Sequence, residues 1–152
     1  GSFDLLTCRT AAHHFMDLRK AVFEWHRVMA ANAVLILADT SSPEDPGLAD
    51  WMNRIETRRD PSHVRNLSPS EWNELLELGG FQITDNATVP VPLEFDDWVW
   101  RSGTPREVVR DLRYDFLNAS PEVVDAFHIN VNESGNIIFQ WTCVLVRALR
   151  IG

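Results

Sequence analysis

Apolar runs and helically spaced apolar positions alternate along this chain. Continuous apolar runs over 3–7 and 33–38 predict buried strands, because a strand covered on both faces is apolar throughout. β-rich segments over 81–91 and 136–149 predict two more strands. Apolar residues that recur every three or four positions between 18 and 29 predict an amphipathic helix after the first strand. The pattern is typical of an α/β protein.

Helix-start residues mark the remaining helices. Ser68 can cap a helix, Pro69 fits its first position and Glu71 completes a capping box, while Gly79-Gly80 ends the helix. The same chemistry predicts helices over 108–117 and 123–127, and Pro46 begins another. The resulting order is β-α-β-α-α-β-α-α-β. No repeat or low-complexity linker interrupts it, which indicates one domain.

Composition limits the classes of function. The chain has 152 residues, 45% of them hydrophobic, which is enough for one domain with a core. A formal net charge of −8 and no basic stripe argue against nucleic-acid binding, since phosphates would be repelled. No apolar stretch is long enough to span a bilayer. Cys8 and Cys143 lie in strand-like surroundings and are predicted to be free thiols, as in a cytoplasmic protein.

Several short motifs occur in an order that resembles one enzyme family. They are Phe3-Asp4, His13-His14-Phe15, Asp17, Arg27-Val28 and the strand 34–39 with its terminal Asp39. This series resembles the class I S-adenosylmethionine-dependent methyltransferases, in particular the small-molecule methyltransferase type 11 group. The resemblance covers residues 3–152 but only the second half of the family's domain. Gly1-Ser2 are interpreted as an expression-tag remnant.

The resemblance implies a fold. It implies a partial Rossmann-like methyltransferase sheet of about four strands with flanking helices, in which the last strand runs antiparallel between its two predecessors. The family's Gly-rich cofactor loop has no counterpart here, since no strand is followed by Gly-x-Gly. The family usually has a glycine turn before the second of these strands, where this chain has Asn32. Asn32 is therefore expected to adopt a left-handed conformation.

The resemblance also implies site residues. The cofactor would be S-adenosylmethionine, in a cleft to which this chain contributes one wall and most of the acceptor pocket, and no metal is expected. The implied residues are Cys8, Arg9 and Thr10 beside the cofactor, His13 and His14 near the methyl group as catalytic residues, and Asp39, His63 and Arg65 for the substrate.

Each of these residues has a simpler alternative. His13 and His14 cannot both point the same way from an extended backbone, so at least one would pack or cap locally. Asp39 could end its strand with a solvated carboxylate, and His63 could belong to a turn held by local hydrogen bonds. The tryptophans are predicted to be core or lid residues, with an acceptor-pocket wall as the alternative: Trp51, Trp72, Trp98 and Trp100.

The resemblance implies methyl transfer to a small-molecule acceptor as the function, and no motif specifies the acceptor atom. Without the Gly-rich loop, the truncated chain is expected to be inactive alone. It is expected to form a homodimer or to pair with a missing N-terminal half, because its first strand would leave an unpaired sheet edge. The alternative is a non-catalytic interaction module that self-associates through this edge. A Cys8 hydrolase and a zinc site lack recognisable signatures.

Overall fold

The structure is a computed structural model that describes residues 1–152 as an α/β domain. The strands are β1 (Phe3–Arg9), β2 (Met29–Ser41), β3 (Phe81–Glu94), β4 (Asn130–Val131) and β5 (Ile137–Arg150). The helices are α1 (Leu18–Val28), α2 (Pro46–Arg59), α3 (Pro69–Leu78), α4 (Phe95–Arg101), α5 (Arg106–Leu117) and α6 (Pro121–Ala126), with a 3₁₀ turn over Ala12–His14.

The sheet has the expected topology. Its strand order is β1-β2-β5-β3, with the short β4 paired to β5. Strands β1 and β2 are parallel, whereas β5 runs antiparallel to both β2 and β3. The predicted insertion of an antiparallel last strand between its two predecessors is therefore confirmed. The parallel pair also brings the carboxyl ends of β1 and β2 to the same edge of the sheet, where ligands bind in open α/β folds.

Two hydrophobic cores hold the domain together. Helices α1 and α3 cover one face of the sheet, where Leu35, Leu37 and Val146 are buried. Helices α2, α4, α5 and α6 enclose a second core at the start of β5, with Trp98 and Phe116 at its centre. Half of the 14 residues in the second core are aromatic, and several of their rings form edge-to-face pairs, such as Trp98 with Phe139 at 5.2 Å between ring centroids. The two cores meet near the carboxyl ends of β1 and β2.

Local sequence signals explain most element boundaries. The capping box of α3 is present, with Ser68 and Glu71 each accepting from the other's backbone N–H. Asn32 has φ of 61°, so the expected left-handed residue before the core of β2 is confirmed. None of the helices is long and apolar enough to cross a bilayer.

The structure also differs from the sequence-based prediction. Helix α4 was not predicted; it begins directly after β3, where the Glu94 carboxylate accepts from the N–H groups of Asp96 and Asp97. Among the tryptophans, Trp100 is exposed and so is not a core residue, while the other predicted core tryptophans are buried. The expected free thiols are present: Cys8 is buried and Cys143 half-buried.

Candidate active site at the carboxyl ends of the parallel strands

A cavity of about 190 Å³ lies where the two cores meet. Thr10 follows β1 and Thr40 belongs to the end of β2, so the cavity lies at the carboxyl ends of both parallel strands. The opposite wall comes from α2, α4 and the start of β5. Its main lining side chains are His13, Arg59, His63, Asn66, Trp98 and Trp141. A concave site at this edge of an α/β sheet is the usual position for a ligand.

His13 and Asp39 form the central pair of this site. Nδ1 of His13 lies 2.5 Å from Oδ1 of Asp39, and the backbone N–H of His13 donates to Oδ2 at 3.1 Å. An ionised carboxylate can only accept hydrogen bonds, so the His13 ring donates its Nδ1–H to Asp39. The lone pair is therefore on Nε2, which has no partner within the chain. A histidine oriented by a buried carboxylate in this way is suited to accept a proton.

Asp39 is held rigidly. Its side chain is buried, with 1% of the residue exposed, and Oδ1 also accepts the N–H of Thr40 at 2.8 Å. The two backbone N–H groups and the His13 ring together satisfy the carboxylate. The alternative of a solvated carboxylate at the end of β2 is therefore wrong. Asp39 instead fixes the His13 ring in one orientation.

His63 is a second histidine in the cavity wall. Its Nε2 lies 3.0 Å from Oδ1 of Asn53, which is an acceptor and also receives the N–H of Asn66 at 2.6 Å. Nε2 therefore carries the proton, and Nδ1 keeps a free lone pair. Burial, reinforced by the nearby rings of His13 and His14, lowers the pKa of His63 to about 4. His63 is accordingly neutral near pH 7.

Asn66 has an unsatisfied side chain in the same wall. The residue is 1% exposed, and neither Oδ1 nor Nδ2 has a hydrogen-bond partner. Buried amides are nearly always hydrogen-bonded, because an unpaired one loses its hydration without compensation. Since Asn66 lines the cavity, a bound ligand would supply the missing partner.

A buried ion pair between Glu56 and Arg59 belongs to the lining of the cavity. Glu56 accepts from the indole N–H of Trp141 at 2.6 Å and from Nη1 of Arg59 at 3.2 Å. The Arg59 guanidinium lies over the ring of Trp98, 4.7 Å from its centroid, and Nε donates to the Trp98 carbonyl. These contacts fix the Arg59 guanidinium beside the cavity.

His13 and His14 lie in a 3₁₀ turn and not in the extended backbone that the sequence-based expectation assumed, and only His13 lines the cavity. His14 does not line the cavity; its Nδ1 contacts the carbonyl oxygen of Ser62 at 3.0 Å and the Ser62 hydroxyl at 3.1 Å. The rings of His13 and His14 nevertheless lie 4.2 Å apart, centroid to centroid, and those of His13 and His63 5.6 Å apart. No group of three or more His, Cys, Asp or Glu side chains is arranged to hold a metal ion.

Of the predicted substrate residues His63 and Arg65, only His63 lines the cavity. His63 lines the cavity and also belongs to a local turn, in which its N–H donates to the Asp60 carbonyl. Arg65 lies outside the cavity, where Nη2 pairs with Glu71 at 2.5 Å on the surface near the start of α3. The turn around His63 is therefore confirmed and its role in substrate binding stays a prediction, while Arg65 belongs with the helix cap.

The predicted cofactor residues follow β1. Burial raises the pKa of the Cys8 thiol, with a further contribution from the charge of Asp39, because the side chain faces the core. Arg9 is exposed and has no acidic partner within the chain. Thr10 lines the cavity with an unusual φ of 50°, and its N–H donates to the Ala38 carbonyl. Side chains of Arg9 and Thr10 can thus face a ligand, whereas only the backbone of Cys8 can.

Sequence reasoning missed Glu56, Arg59, Asn66 and Arg101. Glu56 and Arg59 are neighbours on α2, and Arg101 ends α4, so only the tertiary fold brings them to one cavity. The signal for Asn66 was present but not used. It lies in the polar segment between Asp60 and Ser68, and a long polar loop before a well-capped helix often carries a binding site.

Comparisons with known proteins agree with this fold. The model of the methyltransferase domain family matches residues 1–37. The chain is 38% identical to YcgJ of Bacillus subtilis, an uncharacterized methyltransferase, over 150 residues. The match covers 98% of this chain and 59% of YcgJ. The crystal structure of YcgJ superposes with a TM-score of 0.88 at 37% identity, over 99% of this chain and 65% of that one. A proposed methyltransferase from Bacillus halodurans C-125 superposes with a TM-score of 0.93 at 28% identity, over 100% of this chain and 73% of that one.

The chain has the fold of the class I S-adenosylmethionine-dependent methyltransferases and is related to them in sequence. Besides YcgJ, it is 36% identical over 122 residues, or 80% of its length, to the uncharacterized protein YafE of Escherichia coli. The chain spans 59% of the length of each of these two curated relatives.

Proposed function

We propose that this chain forms the acceptor pocket and the proton-accepting site of a methyltransferase that acts on a small molecule. The observation that carries the proposal is the His13–Asp39 pair, in which His13 lines a cavity at the carboxyl ends of two parallel strands and Asp39 holds its ring. Methyl transfer to a hydroxyl or amine requires that the acceptor be aligned and that its proton be removed. Both requirements are met by groups in this cavity.

His13 is the base in this proposal. Its Nδ1–H is held by Asp39, so the lone pair of Nε2 is free to accept the acceptor's proton. The positive charge that then develops on the ring is stabilised by the buried carboxylate of Asp39. His63 stays neutral and offers Nδ1 as a second hydrogen-bond acceptor. It therefore orients the acceptor group without competing for the proton.

S-adenosylmethionine fits the end of β1 in this proposal. The guanidinium of Arg9 has no partner within the chain and would bind the carboxylate of the cofactor. The left-handed backbone at Thr10 changes the direction of the chain after β1, next to the cavity. When bound, the cofactor supplies a methyl group activated on a sulfonium. This chain's residues would hold only one side of the cofactor.

We further propose that the chain alone binds the cofactor weakly and has no turnover. The sequence contains no strand followed by a Gly-x-Gly pattern, the loop that allows close approach of backbone to a nucleotide cofactor. Full activity would then require a polypeptide that supplies such a loop and pairs with the edge of β1.

Calorimetric titration with S-adenosylmethionine and S-adenosylhomocysteine tests this proposal. We expect saturable heat with a dissociation constant near the millimolar range, about −4 kcal/mol. Micromolar binding would support the methyltransferase function but overturn the requirement for a second polypeptide. No heat from either ligand at several millimolar, from protein shown to be folded by circular dichroism, would overturn the cofactor site.

A further inference from the structure

The cavity contains two kinds of unused hydrogen-bonding group. The free acceptors are Nε2 of His13 and Nδ1 of His63, since the other ring nitrogen of each donates to Asp39 or Asn53. The free donors are the Nη groups of Arg59 and Arg101 that make no bond within the chain. The cavity thus offers acceptors from the turn after β1 and the loop after α2, and donors from α2 and α4.

The side of the cavity that carries the hydrogen-bond donors has two guanidinium groups that can bind a negatively charged group. Arg59 is largely buried and is fixed by Glu56, by the Trp98 carbonyl and by stacking on the Trp98 ring, so its remaining Nη2 has a defined direction. Arg101 ends α4, where only its Nε is paired, 3.0 Å from Asp97. Two guanidinium groups with free N–H donors match the planar, bidentate geometry of a carboxylate.

No carboxylate in the cavity is free to bind a cation. Oε1 of Glu56 accepts from Trp141 and Oε2 from Arg59. Asp39 lies behind His13 outside the lining of the cavity, and both its oxygens are used, by His13 and Thr40. A cationic acceptor would therefore find no unpaired negative partner, whereas an anionic one would find two positive partners.

We propose that the cavity binds a small hydroxy or amino acid. Its carboxylate would be held by Arg59 and Arg101, and its hydroxyl or amine would lie against His13 and His63. This inference rests on the proposed function, for which it names the class of acceptor.

The rest of the wall is consistent with such a ligand. The amide of Asn66 is buried and unpaired, and it can donate through Nδ2 and accept through Oδ1. A hydroxy or amino acid has both a donor and an acceptor to satisfy it. Val91, Leu93 and Trp98 supply apolar surface for the carbon skeleton, and the volume of about 190 Å³ restricts the ligand to a small molecule.

Binding of matched probes to the chain tests the inference without requiring methyl transfer. The pairs are lactate with lactamide and 3-hydroxybenzoate with 3-hydroxybenzamide, each an acid and its neutral amide, titrated calorimetrically near pH 7. We expect the acid of at least one pair to bind at least about tenfold more tightly than its amide, because charge-assisted bonds are the stronger ones. Equal or weaker binding of the acid in both pairs would overturn the inference.

Variants assign the effect to the cavity. Arg101→Gln should reduce the acid's advantage at least about fivefold, and Arg101→Lys should restore part of it, because charge is kept while bidentate geometry is lost. Arg110→Gln is the matched control, since Arg110 is exposed on α5 outside the cavity. An unchanged preference in Arg101→Gln, or an equal loss in Arg110→Gln, would contradict the assignment.

The two proposals can fail separately. A preference for acids that depends on Arg101, in a chain that gives no heat with either cofactor ligand, would retain the acid site and overturn methyl transfer. Cofactor binding without any preference for acids would retain methyl transfer and overturn the class of acceptor.

Discussion

Asp39 sets the tautomer of His13, and its replacement should affect both the ring and the fold. In the wild type the carboxylate accepts the Nδ1–H of His13 and the backbone N–H groups of His13 and Thr40. In Asp39→Asn the amide has one oxygen for these donors, and its NH₂ faces another donor. We expect a loss of about 2–3 kcal/mol in the free energy of unfolding. We also expect the His13 proton to move to Nε2.

Urea denaturation measures the first effect of this substitution, and nitrogen-15 NMR of the histidine rings measures the second. Asp17→Asn is a matched control, because Asp17 caps α1 through the N–H of Lys20 and asparagine caps about as well. It should change stability by less than about 0.5 kcal/mol. An unchanged His13 tautomer in Asp39→Asn would remove the structural basis for His13 as a base.

His63 makes stability depend on pH. Burial lowers its pKa to about 4, helped by His13 and His14 and opposed by the charges of Asp60 and Asp39. The unfolded chain therefore binds the proton more readily than the folded chain between about pH 6.5 and 4. The stability that neutral His63 supports is fully present above about pH 6.5 and is lost as the pH falls toward 4. The full loss is at most on the order of 3 kcal/mol.

His63→Gln should flatten this pH dependence, since glutamine keeps a donor for Asn53 but does not titrate. Urea midpoints measured between pH 4 and 7.5 provide the comparison with the wild type. His128→Asn is the control, because His128 has φ of 50°, which asparagine tolerates. If His63→Gln keeps the wild-type slope, the pH dependence must come from another group.

At the scale of elements, the start of α3 anchors the loop that carries His63 and Asn66. The Ser68 hydroxyl accepts the N–H of Glu71 at 3.3 Å and donates to Glu44 at 2.8 Å, and Glu44 also accepts the N–H of Ser70. These bonds hold the pKa of Glu44 below its usual range. The bonds from Glu44 connect the start of α3 to the turn before α2. They therefore fix both ends of the segment 45–67, which contains α2 and the loop with His63 and Asn66.

Ser68→Ala should therefore destabilise the domain by about 1–2 kcal/mol, the usual effect of losing an N-cap side chain. Ser120→Ala is the matched control, since Ser120 begins α6 without a side-chain cap bond and should cost less. Hydrogen exchange is the second measurement, because fraying of α3 should expose amides in the 60–68 loop. Equal effects of the two substitutions on stability would mean that the capping network contributes nothing.

Elements with strong local signals were predictable from the sequence, and the cavity was not. Pro69 and Glu71 begin α3 as expected because capping acts within one turn of helix. Helix α4 escaped prediction because its N-cap is Glu94, outside the usual set of capping residues. The position of β5 between β2 and β3 was predicted from the family resemblance, since no local sequence pattern specifies the order of strands in a sheet. Arg59 and Arg101 could not be predicted as neighbours, because only packing of α2 and α4 on one core brings them together.

At the scale of the whole molecule, one face of the sheet is covered, and the other is covered by the second core at the start of β5 and bare beyond it. Helices α1 and α3 pack on the first face. The strand register places Leu5, Ile36, Val89 and Leu145 on the second, where all four are exposed. Strand β1 also forms one of the two edges of the sheet. A contiguous apolar surface next to an open edge favours association with another polypeptide.

A homodimer through this surface stays a prediction, and Leu5 is the residue that tests it. Leu5 is 58% exposed and lies on both the bare face and the edge strand. Leu5→Lys should weaken self-association at least about tenfold in sedimentation equilibrium, because a buried lysine charge would lose its hydration. Leu78→Lys is the matched control, since Leu78 is 69% exposed on α3, which packs against the opposite face.

Salt provides an independent check on this association. Each copy carries a formal charge of −8, so two copies repel one another while their apolar faces attract. Raising the ionic strength from about 0.05 to 0.5 M shortens the Debye length severalfold and should tighten the dimer. Leu5→Lys adds one positive charge to each copy and so reduces the repulsion between copies. If repulsion alone governed association, this substitution would tighten the dimer. If Leu5→Lys weakens the dimer and salt tightens it, apolar contact at β1 is the cause of association. A monomer at every protein concentration would show that the predicted dimer is wrong.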